Sequence, residues 1–118
     1  MNAAEKVALA AAGSGVGGWL LENAIFGRRY SANLPGVPFL PVYAAGGAAV
    51  ALLEPYVRSE NILTRALVYG ATLTVIEGVS GLADRARGRR TWDYGGEVID
   101  IPHALAWTAL ALGLERLL

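Results

Sequence analysis

Residues 62–83 read ILTRALVYGATLTVIEGVSGLA and contain only two charged residues, Arg65 and Glu77. A helix needs about 20 residues to cross the roughly 30 Å hydrocarbon core of a bilayer. A helix on the surface of a soluble protein would instead carry charged residues at every turn along its wet face. The length and the lack of charge together predict that this stretch is a transmembrane helix.

Three further stretches have the same character. Residues 7–26 contain Glu22 as their single charge, residues 39–57 contain only Glu54, and residues 98–118 hold few charges. Polar segments with Gly and Pro separate them at residues 27–38 and 84–97, and a short turn lies at 58–61. We therefore predict an all-α fold: a bundle of four transmembrane helices with antiparallel neighbours, forming one integral membrane domain over residues 1–118.

Composition agrees with this prediction and excludes several classes of protein. Hydrophobic residues make up 54 % and charged residues 17 %, with a mean hydropathy of +0.41, whereas soluble domains carry about 25 % charged residues. An unusually Ala-rich soluble bundle is the alternative. The 10 basic and 10 acidic residues balance, which gives no electrostatic footprint for nucleic acid. Because the chain has no Cys, disulfides and Cys-type zinc sites are excluded, and we expect no cofactor or metal.

The loop arginines predict an orientation. Lys and Arg near the ends of the stretches number six in the first and third loops (Arg28, Arg29, Arg85, Arg87, Arg89, Arg90) against four on the opposite side (Lys6, Arg58, Arg65, Arg116). By the positive-inside rule, the first and third loops face the cytoplasm. The predicted location is a bacterial inner membrane.

Glu22 and Glu77 are the most informative residues, because an acidic group inside hydrocarbon costs about 2.5–3.5 kcal/mol and by default faces the bundle interior. Small residues flank both on one helix face, such as Gly18 and Gly81. The two acids and His103 are expected roughly 6–9 Å below the same membrane surface. The candidate catalytic groups are therefore Glu22, Glu77 and Asp93, with His103 weaker. The alternative is that the two acids only fix helix packing.

Cationic and aromatic residues near this level are the candidate ligand-binding groups. The arginine-rich loops are expected to roof the acids, and the Trp-Asp-Tyr segment of the third loop to fold back over them. The ligand-binding candidates are Arg28, Arg89, Arg90, Trp92, Tyr94, Tyr43 and Trp107.

Two sequence patterns concern assembly. The Gly13-x-x-x-Gly17 spacing lets helices approach closely; packing within one bundle is the favoured interpretation and a homodimer face the alternative. Both Glu22 and Glu77 precede a Gly-Arg-Arg sequence and then a second apolar stretch, which suggests two similar helical hairpins with the site at their interface. Membrane lipids and a homodimer or larger membrane complex are the expected partners.

Four motifs in order resemble the type IV ABC-transporter permease (CmpB-like) family of membrane proteins. They are Gly18-Trp19-Leu20-Leu21-Glu22, the Pro38–Tyr43 segment with Gly46, Glu77-x-x-x-Gly81, and Trp92-Asp93-Tyr94. The resemblance covers residues 18–107 and implies a four-helix membrane protein with the motif acids at one face and no established substrate. The chain has no P-loop sequence, so an ATP-driven role would need a separate subunit.

Two functions follow as hypotheses. In the first, the protein binds or helps transport a small amphipathic molecule or ion in an acidic, arginine-roofed pocket at one membrane face. In the second, it is a membrane-embedded enzyme whose paired carboxyls perform acid–base chemistry, such as isomerisation, cyclisation or hydrolysis of a lipid-like substrate. An assembly factor without a ligand is a third alternative.

Overall fold

The computed structural model describes residues 1–25, 40–88, 99 and 101–118. Within these residues all regular structure is helical, which confirms the all-α prediction. The four α-helices are α1 (Ala3–Trp19), α2 (Pro41–Val57), α3 (Ile62–Ala86) and α4 (Ile101–Glu115), and a π-helical segment, Leu20–Ile25, continues α1.

The helix ends follow from local chemistry. The Asn2 side chain accepts a hydrogen bond from the Glu5 N–H at 2.8 Å, so α1 begins four residues earlier than predicted. Asn61 caps α3 in the same way, through the Thr64 N–H. Gly88, with φ of +77°, follows the end of α3, where only glycine adopts this left-handed conformation freely. α3 therefore ends at Ala86, three residues beyond the predicted end at residue 83.

The chain folds as two antiparallel hairpins. In the first, Gly47 of α2 packs so closely on Ser14 and Ala10 of α1 that a Cβ there would overlap them. In the second, α4 packs on α3, where Thr108 lies against Gly70. α2 also packs against α3 and α4 and so joins the hairpins, whereas α1 forms no comparable interface with α4. The joined core contains Val50, Val57, Tyr69, Leu73 and Ala111.

Gly13 and Gly17 correct one prediction. Both are exposed, and a Cβ added at either would meet nothing within 4 Å. The favoured interpretation, that this glycine pair packs within the bundle, is therefore wrong. The glycines that bring α2 close are instead Gly15, whose carbonyl accepts the Leu40 N–H at 3.0 Å, and Gly18. Glycine spacing alone does not reveal which face of a helix is covered.

The described helices expose many large apolar side chains and bury three acidic ones. The outer faces carry large apolar side chains that are about half to three-quarters exposed, among them Leu9, Leu52, Leu63, Leu67, Val75, Val79, Leu82 and Leu105. The buried polar or charged side chains are Glu22, Glu77 and Asp84. By length and composition, α3 is the one helix of the described residues that is long and apolar enough to cross a membrane, so the predicted four spans are not confirmed.

A separate polar cluster closes the opposite end of the second hairpin. Glu115 of α4 accepts hydrogen bonds from Arg65 at 3.0 Å and from the buried Tyr69 hydroxyl at 2.8 Å. Glu54 pairs with Arg58 one turn later, at the end of α2, as expected for a helix-end residue. The Arg65–Tyr69–Glu115 cluster fixes α4 to α3 and was not predicted.

Candidate functional site

Glu22 lies in the π-helical segment and is 7 % exposed. The Tyr43 hydroxyl of α2 donates a hydrogen bond to its Oε1 at 2.6 Å. Gly18 makes this contact possible, because any Cβ at that position would overlap the Tyr43 ring. The sequence predicts that a small residue beside the acid leaves room for a ligand, water or another helix, and here the room is taken by α2.

Glu77 lies in the middle of α3 and is 3 % exposed. The Trp107 indole N–H of α4 donates to its Oε2 at 2.5 Å. Leu73 and Gly81, one turn to either side of Glu77, are also buried, so this face of α3 points into the bundle. Both acids therefore face the interior, as predicted from the cost of an acidic group in hydrocarbon.

The two aromatic rings join the two acids. The rings of Tyr43 and Trp107 are in contact, with centroids 4.2 Å apart and planes inclined at 58°. The contacts therefore run from Glu22 through Tyr43 and Trp107 to Glu77. Each hairpin contributes one acid from its first helical arm and one aromatic from its second. The hairpins therefore share a local arrangement, and the aromatics meet where the hairpins join.

An apolar cavity of about 360 Å³ adjoins the aromatic pair. Its lining comes from α1 and its π continuation, from α2, from Leu73 of α3 and from α4, and α1 and α4 form no extensive interface with each other. The lining, besides Tyr43 and Trp107, is formed by Ser14, Gly17, Gly18, Leu20, Leu21, Gly46, Gly47, Val50, Leu73, Leu110, Ala111 and Leu114. Leu20 and Leu110, on opposite flanks, are each about half exposed. The cavity is large enough for a small ligand.

The carboxylates do not line this cavity. Glu22 and Glu77 accept hydrogen bonds at the polar edges of the Tyr43 and Trp107 rings, and these two residues border the space. The described part of the site is thus an apolar cavity closed at one end by aromatic rings, and differs from the open acidic pocket that the sequence suggests. The reason is that each acid is covered by a side chain from the next helix of its hairpin.

The other predicted site residues are divided between described and undescribed parts. His103 is half-buried and lies one turn before Trp107 on the same face of α4. The remaining candidates lie outside the described residues, so the arginine roof stays a prediction; they are Arg28, Arg89, Arg90, Trp92, Asp93 and Tyr94.

Tyr43 and Trp107 are among the predicted ligand-binding residues, but their hydrogen bonds to the acids were not predicted. One signal was available: Gly18, one turn before Glu22, indicates close approach of a bulky side chain. Across residues 1–25, 40–88, 99 and 101–118, no three His, Asp or Glu side chains come together to hold a metal ion. The site can bind an apolar chain and present aromatic faces to a ligand.

Comparison of the chain with protein-family models, with curated proteins and with solved structures finds no match in any of the three.

Proposed function

We propose that this chain is an integral membrane protein with four spans that binds, or helps to transport, a small amphipathic molecule. Its apolar exterior and the burial of Glu22 and Glu77 support the membrane location, because leucine faces outward without cost in lipid. α1 and its π continuation have 17 and 6 residues, enough together to cross. α2 and α4, with 17 and 15 residues, would span a bilayer that thins locally.

The observation that carries the ligand proposal is the position of the cavity relative to the aromatic pair. Its lining continues from Tyr43 along α2 to Val50 and from Trp107 along α4 to Leu114. Seven residues of helix rise about 10 Å, so the apolar part of the cavity extends about this far away from the rings. One end is therefore suited to a polar head group and the rest to a hydrocarbon chain.

The partly exposed leucines at the flanks support entry from the bilayer. Leu20 lies in the π continuation of α1 and Leu110 in α4, and both line the cavity and also contribute to the apolar exterior. A molecule dissolved in the membrane would pass between α1 and α4 without crossing a polar surface. Membrane lipids and related amphiphiles are therefore the proposed ligands and partners.

Binding is favoured over acid–base catalysis for a specific reason. A catalytic acid or base must come within hydrogen-bond reach of the proton it transfers. Here neither carboxylate lines the cavity, and each accepts a hydrogen bond from an aromatic side chain that does. The enzyme alternative would require Tyr43 or Trp107 to move away from its acid.

The family resemblance remains part of the proposal. Four residues of its motifs, Gly18, Glu22, Tyr43 and Glu77, take part in one set of contacts in this fold. The predicted cytoplasmic arginine loops would lie at the membrane face of these residues and would complete the site from outside the bilayer.

A pair of glycine variants tests ligand binding. Gly17 lines the cavity and Gly13, one turn earlier, does not, yet both have open space around them. We expect Gly17→Leu to obstruct the cavity and to lower ligand affinity about tenfold, with Gly13→Leu unchanged. Both substitutions would weaken a Gly13–Gly17 dimer interface equally, so a difference between them reports on the cavity.

The measurement is fluorescence quenching of Trp107 in nanodiscs, with Trp19 and Trp92 replaced by Phe. The probes are single-chain amphiphiles with bromine on the chain close to the head group, which is cationic, uncharged or anionic. Specific binding appears as saturable quenching that the bromine-free amphiphile reverses. If no head group gives saturable quenching, or if both glycine variants behave alike, the proposed binding function is wrong.

A further inference from the structure

We infer that the cavity selects an uncharged amphiphile of the alcohol class, and that the Ser14 hydroxyl is the group that recognises it by a hydrogen bond. This inference rests on the proposed binding function and specifies its ligand. It uses three properties of the site: the position of Ser14 on the cavity wall, the state of its hydroxyl, and the uncharged lining.

Ser14 lies on the wall of the cavity near the aromatic end. It is half-buried on α1, and a Cβ at Gly47 of α2 would overlap its side chain. Gly18 follows Ser14 by one turn of α1 and lies against the Tyr43 ring. Four residues of helix rise about 6 Å, so Ser14 is about this far along α1 from the level of the ring. A ligand whose head group lies between the ring and Ser14 can contact both.

The Ser14 hydroxyl forms no hydrogen bond with the residues that the structure describes. Thr108, at the other close helix contact, differs, because its hydroxyl donates to the Ala104 carbonyl at 2.8 Å. Ser and Thr within helices commonly satisfy their hydroxyls in this way. A hydroxyl that meets an apolar space without a partner is unfavourable. A ligand that brings a hydroxyl to Ser14 therefore gains a hydrogen bond that the described protein does not already make.

The lining favours an uncharged head group. Besides Ser14, Tyr43 and Trp107, the described residues around the cavity are glycine, alanine, valine and leucine. The polar groups of Tyr43 and Trp107 already donate to the Glu22 and Glu77 side chains. The side-chain donor left to a ligand by the described lining is thus the Ser14 hydroxyl. One hydrogen bond offsets the cost of taking a hydroxyl out of water, whereas the cost for an ion is far larger.

The volume limits the apolar part to one chain of medium length. At about 30 Å³ for each group the size of a water molecule, a cavity of about 360 Å³ holds about a dozen such groups. A single-chain alcohol such as decan-1-ol has about this size, whereas a lipid with two long chains does not. Its chain would follow the apolar lining toward Val50 and Leu114.

The test measures how well bromine-free amphiphiles displace the uncharged brominated probe from the cavity, with Trp107 fluorescence in nanodiscs as the readout. The competitors share one alkyl chain, and their amounts are counted per lipid: decan-1-ol, 1-chlorodecane, decyltrimethylammonium and decyl sulfate. 1-Chlorodecane carries no hydroxyl and so donates no hydrogen bond. We expect decan-1-ol to bind about fivefold more tightly than 1-chlorodecane, and both ions to bind more weakly than the alcohol.

Ser14→Ala removes the hydroxyl and keeps the close approach of α2. It should lower the affinity for decan-1-ol about fivefold and leave that for 1-chlorodecane unchanged. Because the hydroxyl has no partner among the described residues, the resistance of this variant to unfolding by SDS should not fall. Ser80→Ala is the matched control, since Ser80 is a half-buried residue of α3 that does not line the cavity, and it should change neither affinity.

The outcomes separate this inference from the proposed function. Equal affinity of decan-1-ol and 1-chlorodecane, tighter binding of either ion, or an unchanged alcohol affinity in Ser14→Ala would overturn the alcohol preference and leave amphiphile binding intact. Equal loss of both competitors in Ser14→Ala would also overturn it, because Ser14 would then act only on the shape of the cavity. A less stable Ser14→Ala variant would overturn it as well, by showing that the hydroxyl is bonded within the protein. Absence of saturable quenching by the brominated probe would overturn both proposals.

Discussion

Tyr43 and Trp107 touch each other and point their hydrogen-bond donors in different directions, each to its own buried acid. The contact has a centroid separation of 4.2 Å, and the donated bonds reach Glu22 and Glu77. One pair of rings therefore joins the two hairpins and satisfies one oxygen of each acid. Removing either ring disturbs an interface between helices and a buried polar group at the same time.

Removal of the Tyr43 hydroxyl should destabilise the protein while the ring contact is kept. Tyr43→Phe deletes a donor to a buried acid, and such hydrogen bonds contribute about 1.5–3 kcal/mol. The free energy of unfolding, measured in mixed micelles of a mild detergent and SDS, should fall by about that amount. Tyr56→Phe is the control, because Tyr56 is 82 % exposed. Equal unfolding free energies for the two variants would show that the Tyr43–Glu22 bond contributes nothing.

A methyl group at Gly18 should have a larger effect than one at Gly13. The Cβ of Gly18→Ala would overlap the Tyr43 ring and force it away from Glu22 or Trp107, at a cost of about 1–3 kcal/mol. Gly13→Ala enters open space, and the higher helix propensity of Ala should leave stability unchanged or raise it by up to about 1 kcal/mol. The same unfolding assay measures both. A stable Gly18→Ala variant would contradict the described approach of α2 to α1.

The polar cluster at the other end should stabilise the second hairpin. Glu115→Gln weakens the ion pair with Arg65 and the hydrogen bond from Tyr69, and should lower the free energy of unfolding by about 1–3 kcal/mol. Arg58→Gln breaks an ion pair whose Arg is 56 % exposed, and should cost less than about 1 kcal/mol. If the Arg58 variant is the less stable of the two, the cluster does not fix α4 to α3.

The absence of Cys allows a direct test of the four spans. Single Cys residues at Asn2, Ser59, Gly88 and Leu117 are labelled with a membrane-impermeant maleimide in oriented vesicles. Four spans place Asn2, Ser59 and Leu117 on one side and Gly88 on the other. If α3 alone crosses, Leu117→Cys reacts on the side of Gly88→Cys instead. Val79→Cys, on the exposed face of α3, should be protected by lipid and unreactive from either side.

The sequence predicted the helices well and the contacts of the site only in part. Long stretches of low charge suggest a lipid environment. In lipid each segment must satisfy its own backbone hydrogen bonds, and this predicts helices. The cost of placing Glu22 and Glu77 in contact with hydrocarbon likewise predicted that both face inward. The π-helical segment was not predicted, because no residue type marks it, and it determines the direction in which Glu22 points.

What the sequence determined by itself is therefore the helical architecture and the inward position of the two acids, because both depend on the transfer of charge and backbone groups out of water. Only the tertiary structure decided that Tyr43 and Trp107 cover the acids, that the adjoining cavity is apolar, and that Gly13 and Gly17 lie outside. These features depend on the rotation of each helix about its axis. The rotation is set by packing between residues far apart in the chain, such as Gly18 against Tyr43, which local patterns do not encode.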